Sequence, residues 1–73
     1  MARDDQGTPS RSEQVYEALR LGILQGEFKP QGALKPQELA TRFGVSLAVI
    51  RETLLRLVGE GLAERLRNRG FAV

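Results

Sequence analysis

A mainly α-helical fold closed by a small β-hairpin is the fold class the sequence predicts, and three observations predict it. Apolar residues recur three and four apart in three successive segments, each segment ends at a glycine, and from Leu62 onward the pattern changes to strand, turn and strand around Asn68-Arg69-Gly70. The 73 residues suffice for one small domain, and the 41% apolar and 27% charged composition lies within the range of chains that fold. A domain of this size buries only about 60% of the surface its unfolded chain exposes, so its stability is expected to be modest.

The first nine residues, with Asp4, Asp5, Gly7 and Pro9, offer nothing to bury and are expected to form a disordered tail, which leaves residues 10–73 as the domain. Ser10 and Glu13 stand at capping-box spacing, with Ser12 as an alternative cap, and open a first helix. Val15, Leu19 and Ile23 form its inward stripe, with Tyr16 and Leu24 beside it, until Gly26 releases the helix. Phe28, Pro30 and Gly32 make a turn-rich connection ending at Leu34. Pro36 suits the first turn of a second helix that runs through Leu39, Ala40 and Phe43 to Gly44. Ser46 then caps a third helix whose stripe is Ile50, Leu54 and Leu57, broken at Gly59-Glu60-Gly61. Leu62 to Arg67 reads as a strand, Asn68 to Gly70 as a tight turn, and Phe71 to Val73 as the returning strand. The expected core is Val15, Leu19, Ile23, Phe28, Leu34, Leu39, Ala40, Phe43, Val45, Ile50, Leu54, Leu57, Leu62 and Phe71.

Several functions lose their footing on composition alone. Cysteine and histidine are both absent, which removes disulfides, thiolate or imidazole metal ligands, the commonest general base and the best nucleophile. Paired carboxylates, a nucleophile with a base, and a glycine-rich phosphate loop after a strand are also not visible, so no enzyme, no cofactor and no metal are expected. No apolar stretch could span a bilayer and the N-terminus lacks a signal-peptide core, so a cytoplasmic protein without a membrane partner is expected. The net charge is only +2, but residues 1–34 carry four basic and five acidic side chains whereas residues 35–73 carry seven basic and four acidic. The positive excess lies where the third helix and the hairpin are expected, which points toward a polyanion.

Position sharpens that indication. Ala40 is small enough to let two helices approach, Gly44 follows four residues later at the turn, and Val45 and Ile50 supply apolar anchors, as a helix-turn-helix requires. An αα-hairpin in any small bundle could carry the same residues. The hairpin separates the two readings, because Arg65, Arg67 and Arg69 crowd into it with no acidic residue beyond Arg65, as suits a wing reaching phosphates or a minor groove. The fold expected is a three-helix winged helix-turn-helix. Arg51 and Arg56 point away from the buried stripe, as groove-facing side chains must, although Glu52 and Glu60 share that surface and need local cations to silence them. A second reading is a protein-interaction module in which the apolar residues Leu47, Val49, Leu55 and Val58 dock a partner helix.

The runs Gly32-Ala33-Leu34, Glu38-Leu39-Ala40, Phe43-Gly44-Val45-Ser46, Ile50-Arg51-Glu52, Leu54, Leu57, Glu60-Gly61-Leu62 and Asn68-Arg69-Gly70-Phe71 together resemble the N-terminal domain of the GntR family of bacterial transcription regulators. The resemblance covers Ser12 to Val73. It implies a winged helix-turn-helix that binds double-stranded operator DNA, in a homodimeric repressor or activator whose separate C-terminal domain, absent from this chain, dimerises and takes a small-molecule effector. It further implies that Ser46 and Arg51 contact DNA at the start of the recognition helix, that Gln37 lies near the backbone, and that the wing turn, Asn68 to Gly70, reaches the minor groove. The chain departs from the family where Leu47 replaces an arginine, Ala48 a small polar residue and Val49 a proline. The site set is therefore Gln37, Ser46, Leu47, Ala48, Val49, Arg51, Arg56, Arg67, Asn68, Arg69 and Gly70. Leu47 has two uses open to it, extra packing at the edge of the apolar stripe or contact with thymine methyl groups. The loss of an arginine there predicts weaker recognition that tolerates A·T pairs.

Overall fold

A computed structural model describes residues 10–29, 32–67 and 70–73. The expected tail at residues 1–9, Pro30 of the connection, and Asn68 and Arg69 of the hairpin turn lie outside these described residues. Helix α1 spans Arg11–Leu24, strand β1 Ala33–Leu34, α2 Pro36–Phe43, α3 Leu47–Gly59, β2 Glu64–Leu66 and β3 Gly70–Ala72.

The helix boundaries follow from local chemistry. Ser10 caps α1 by accepting a hydrogen bond from the Glu13 amide (3.1 Å), and Ser46 caps α3 by accepting from the Val49 amide (3.2 Å). Pro36, which has no amide hydrogen to leave unsatisfied, occupies the first turn of α2. All three helices end in the same pair of Schellman hydrogen bonds: Glu27 and Gly26 donate to Gly22 and Ile23, Val45 and Gly44 to Ala40 and Thr41, and Leu62 and Gly61 to Leu57 and Val58. At Gly44 the backbone takes φ 66° and ψ 38°, a left-handed conformation in which a Cβ would be strained, and this reverses the chain between α2 and α3. Arg11 Nη2 donates to the Phe43 carbonyl oxygen (2.6 Å), tying the start of α1 to the end of α2.

The apolar stripes converge as expected. Val15, Tyr16 and Leu19 from α1, Leu39 from α2, Ile50, Leu54 and Leu57 from α3, and Leu34, Ala63 and Phe71 from the strand region form one buried cluster. Ile23, Phe28, Ala40, Phe43, Val45 and Leu62, expected within the core, pack against its edge with Val58 and Val73.

The β region contains the expected hairpin, β2 with β3, and adds a third strand to it. The sheet has three antiparallel strands in the order β1-β3-β2, with Ala33 opposite Ala72 and Leu34 opposite Phe71 on one side, and Glu64, Arg65 and Leu66 opposite Ala72, Phe71 and Gly70 on the other. Two residues are too short to show alternation, so β1 has no signature in sequence; its Leu34 is held because it packs beside Phe71. The expected strand from Leu62 to Arg67 narrows to Glu64–Leu66 because the Leu62 amide is spent on closing α3. The returning strand begins one residue early, at Gly70.

Candidate nucleic-acid interface

The outer surface of α3 is set by its buried one. With Ile50, Thr53, Leu54 and Leu57 turned inward, the helical repeat leaves Ala48, Arg51, Glu52, Leu55 and Arg56 exposed. Thr53 is the buried polar residue of this helix and satisfies its hydroxyl by donating to the Val49 carbonyl oxygen (2.8 Å). Leu47 and Val49 are half-buried, yet neither belongs to the set of apolar residues packed against the core.

Arg51 and Arg56 lie on opposite flanks of the exposed surface and meet different surroundings. Arg51 and Leu55, with Arg65, Leu66, Gly70 and Phe71 of the sheet and Pro36 of α2, line a cleft of about 380 Å³ between α3 and the wing. Arg65 reaches it because residues directly opposed in antiparallel strands share a face, and Arg65 is opposite the buried Phe71. Arg51, Arg65 and Arg67 are exposed and, among the described residues, form no ion pair. Three other cations are engaged, Lys35 with Glu38, Arg42 with Glu27, and Arg56 with both Glu13 (2.9 Å) and Glu60 (3.9 Å), whereas Arg20 and Lys29 form no ion pair among the described residues.

Arg56 is built into the α1–α3 contact. Its guanidinium lies 3.7 Å from the Tyr16 ring centroid, and Tyr16 Oη donates to Glu60 Oε1 (2.6 Å). The hydrogen bond to Glu13 holds Arg56 above its ordinary arginine value, against the opposing effect of burial. The hydrogen bond to Glu60 raises the Tyr16 phenol above its ordinary value, with burial and the Glu60 charge adding to it. A group whose folded value is raised contributes stability that is complete below its unfolded value, about 10 for tyrosine, and lost as pH rises through the folded value. The melting temperature of the wild type is thus expected to fall more steeply than that of Tyr16→Phe above about pH 10. Thermal melts across that range check this, and parallel curves would sink it.

The remaining site residues are placed as follows. Gln37 is exposed in the first turn of α2, Ser46 is exposed at the α3 cap, Arg67 follows β2, and Gly70 opens β3 with φ 93°. Asn68 and Arg69 fall outside the described residues. The structure brings Arg51 together with Gly70 across the cleft, and sets Arg56 apart with Glu13, Tyr16 and Glu60. Sequence reasoning counted Arg65 among the wing cations but left it out of the site, although the alternation of Arg65 with Leu66 opposite Phe71 was the available signal. It also proposed Val58 for an apolar docking face; Val58 packs against the core, and Leu55 is left as the large apolar side chain exposed on α3.

Comparisons with known proteins bear on the family and the fold. The family described as bacterial regulatory proteins, gntR family, matches residues 11–73. The chain is 41% identical over 61 residues to the HTH-type transcriptional repressor NagR of Bacillus subtilis, covering 82% of this chain and 25% of that protein. It is 36% identical over 61 residues to the mannosyl-D-glycerate transport/metabolism system repressor MngR of Escherichia coli, covering 82% and 25%. The chain thus spans about a quarter of the length of these relatives. Among solved structures, the N-terminal domain of AraR in complex with mutant ORR3 superposes with a TM-score of 0.83 at 30% identity, over 93% of this chain and 99% of that one. The AraR DNA-binding domain in complex with operator ORR3 superposes with a TM-score of 0.77 at 31% identity, over 93% and 90%.

Proposed function

The chain belongs to the gntR family of bacterial regulatory proteins, and on that premise we propose that residues 10–73 are the operator-binding domain of a bacterial transcription regulator. Helix α3 enters the major groove, Ser46 and Arg51 lie against the DNA there, and the wing carries Arg65 and Arg67 to the phosphates. Gln37 stands near the backbone, and the turn through Asn68, Arg69 and Gly70 follows the minor groove. The observation that carries this reading is the convergence of two exposed arginines, Arg51 and Arg65, neither of which forms an ion pair among the described residues, on one cleft between α3 and the wing.

The greater length of the relatives supports a full-length protein with a further domain C-terminal to this one. We assign dimerisation and small-molecule effector binding to that domain, and repression of transcription to the whole, acting in the cytoplasm. Among the described residues no helix is long and apolar enough to cross a membrane. The family and its matched relatives are transcriptional regulators, and no catalytic step is assigned to this chain.

Salt dependence tests the assignment. Three phosphates neutralised by Arg51, Arg65 and Arg67 give a log-log slope of roughly −2.7, and removing one of these cations makes it shallower by about 0.9. Fluorescence anisotropy on a short duplex at several salt concentrations is expected to show that change for Arg65→Ala. A duplex affinity insensitive to salt would remove the proposal.

A further inference from the structure

We propose that the start of α3 reads thymine, with Leu47 and Ala48 set against the 5-methyl groups of thymines in the major groove so that each half-site places A·T pairs there. This rests on the DNA-binding reading above and goes beyond it by naming the base.

The argument starts from what α3 offers. From Leu47 to Val49 no side chain carries a hydrogen-bonding group; Ser46 before them accepts from the Val49 amide and keeps its hydroxyl hydrogen free to donate. The first hydrogen-bonding side chain within the helix is Arg51. Leu47, Arg51 and Leu55 follow one another at four-residue spacing and form a single row along the helix, whose later members line the cleft beside the wing. Leu47 therefore heads the row that carries the unpaired cation. Ala48, one position on, is exposed. Leu47 is only half-buried and is not packed against the core, so core packing does not account for it.

The major-groove edges respond differently to such a surface. Thymine presents a methyl group, which an apolar side chain covers favourably, whereas guanine presents N7 and O6 and cytosine its amino group. Covering those polar atoms with Leu47 and Ala48 strips their water and supplies no partner, which costs more than a missing attraction. The preference thus has two sources, a gain at thymine and a penalty at G·C. Arg51 in the next turn remains available for phosphate or guanine.

The test begins with a pool of duplexes randomised at their centre and retained on the immobilised 73-residue chain at low salt. The retained duplexes are then remade with deoxyuridine replacing thymine one position at a time, which removes only the methyl group. A·T pairs are expected to be enriched at adjacent positions, with each deoxyuridine there weakening binding roughly fourfold, the equivalent of one buried carbon, and deoxyuridine elsewhere having no effect. Leu47→Arg is expected to move the enriched base to guanine. Salt-sensitive binding without adjacent enriched A·T pairs, or with indifference to deoxyuridine at them, overturns the thymine assignment and leaves DNA binding standing. Failure to retain any duplex in a salt-sensitive manner overturns the DNA-binding reading and this inference with it. The deoxyuridine comparison changes only the DNA, so its outcome is independent of how any variant folds.

Discussion

Leu54→Ala is expected to lower the free energy of unfolding by about 2–5 kcal/mol, because it deletes a side chain with 0% exposure and leaves a cavity its neighbours fill only in part. Leu54 belongs to the stripe of α3 that packs within the cluster formed by α1, α2 and the sheet, so the cavity opens where the elements meet. At roughly 0.05–0.15 kcal/mol per residue, a domain of this length has on the order of 4–11 kcal/mol in all, so one truncation can remove most of it. The adjacent Leu55 is 46% exposed, and Leu55→Ala is expected to change stability by less than about 0.5 kcal/mol. Urea titrations of the two variants make the comparison. Equal midpoints would mean that α3 does not bury the face described above.

The same stripes explain how much of the fold was legible. Every helix carries its start and its stop in side-chain chemistry: Ser10 and Ser46 accept amide hydrogens at the caps, Pro36 suits a first turn, and Gly26, Gly44 and Gly61 close the ends. Such signals are local, and a sequence displays them. Strand β1 is held by partners about forty residues away, Phe71 and Ala72, so nothing near Ala33 announces it. Ala63 and Ala72 are buried because the sheet closes over them, although neither lies on a helical stripe. Within the site, Arg51 was legible from the period of α3. The pairing of Arg56 with Glu60 four residues on was legible too, but its engagement with Glu13 and Tyr16 was not, because they lie on another helix and their distance in sequence hides the contact.

That difference between two arginines of one helix leads to the second large effect. Arg51→Ala is expected to weaken binding to an operator duplex by roughly five- to a hundredfold, the range for loss of a specific arginine contact, with a shallower salt dependence and little change in melting temperature. Arg56→Ala is expected to do the reverse. Its removal leaves the Glu13 and Glu60 carboxylates without the cation between them and uncovers the Tyr16 ring, so the melting temperature falls while the salt slope stays as in the wild type. Both side chains are exposed and carry the same charge, so a diffuse electrostatic attraction would weaken equally on losing either one. Of these two arginines only Arg51 lines the cleft, so a contact made there depends on Arg51 and not on Arg56. Parallel salt slopes for the two variants, each shallower than the wild type by about 0.9, would mean that Arg56 exchanges Glu13 for phosphate on binding and that the interface extends across both flanks of α3.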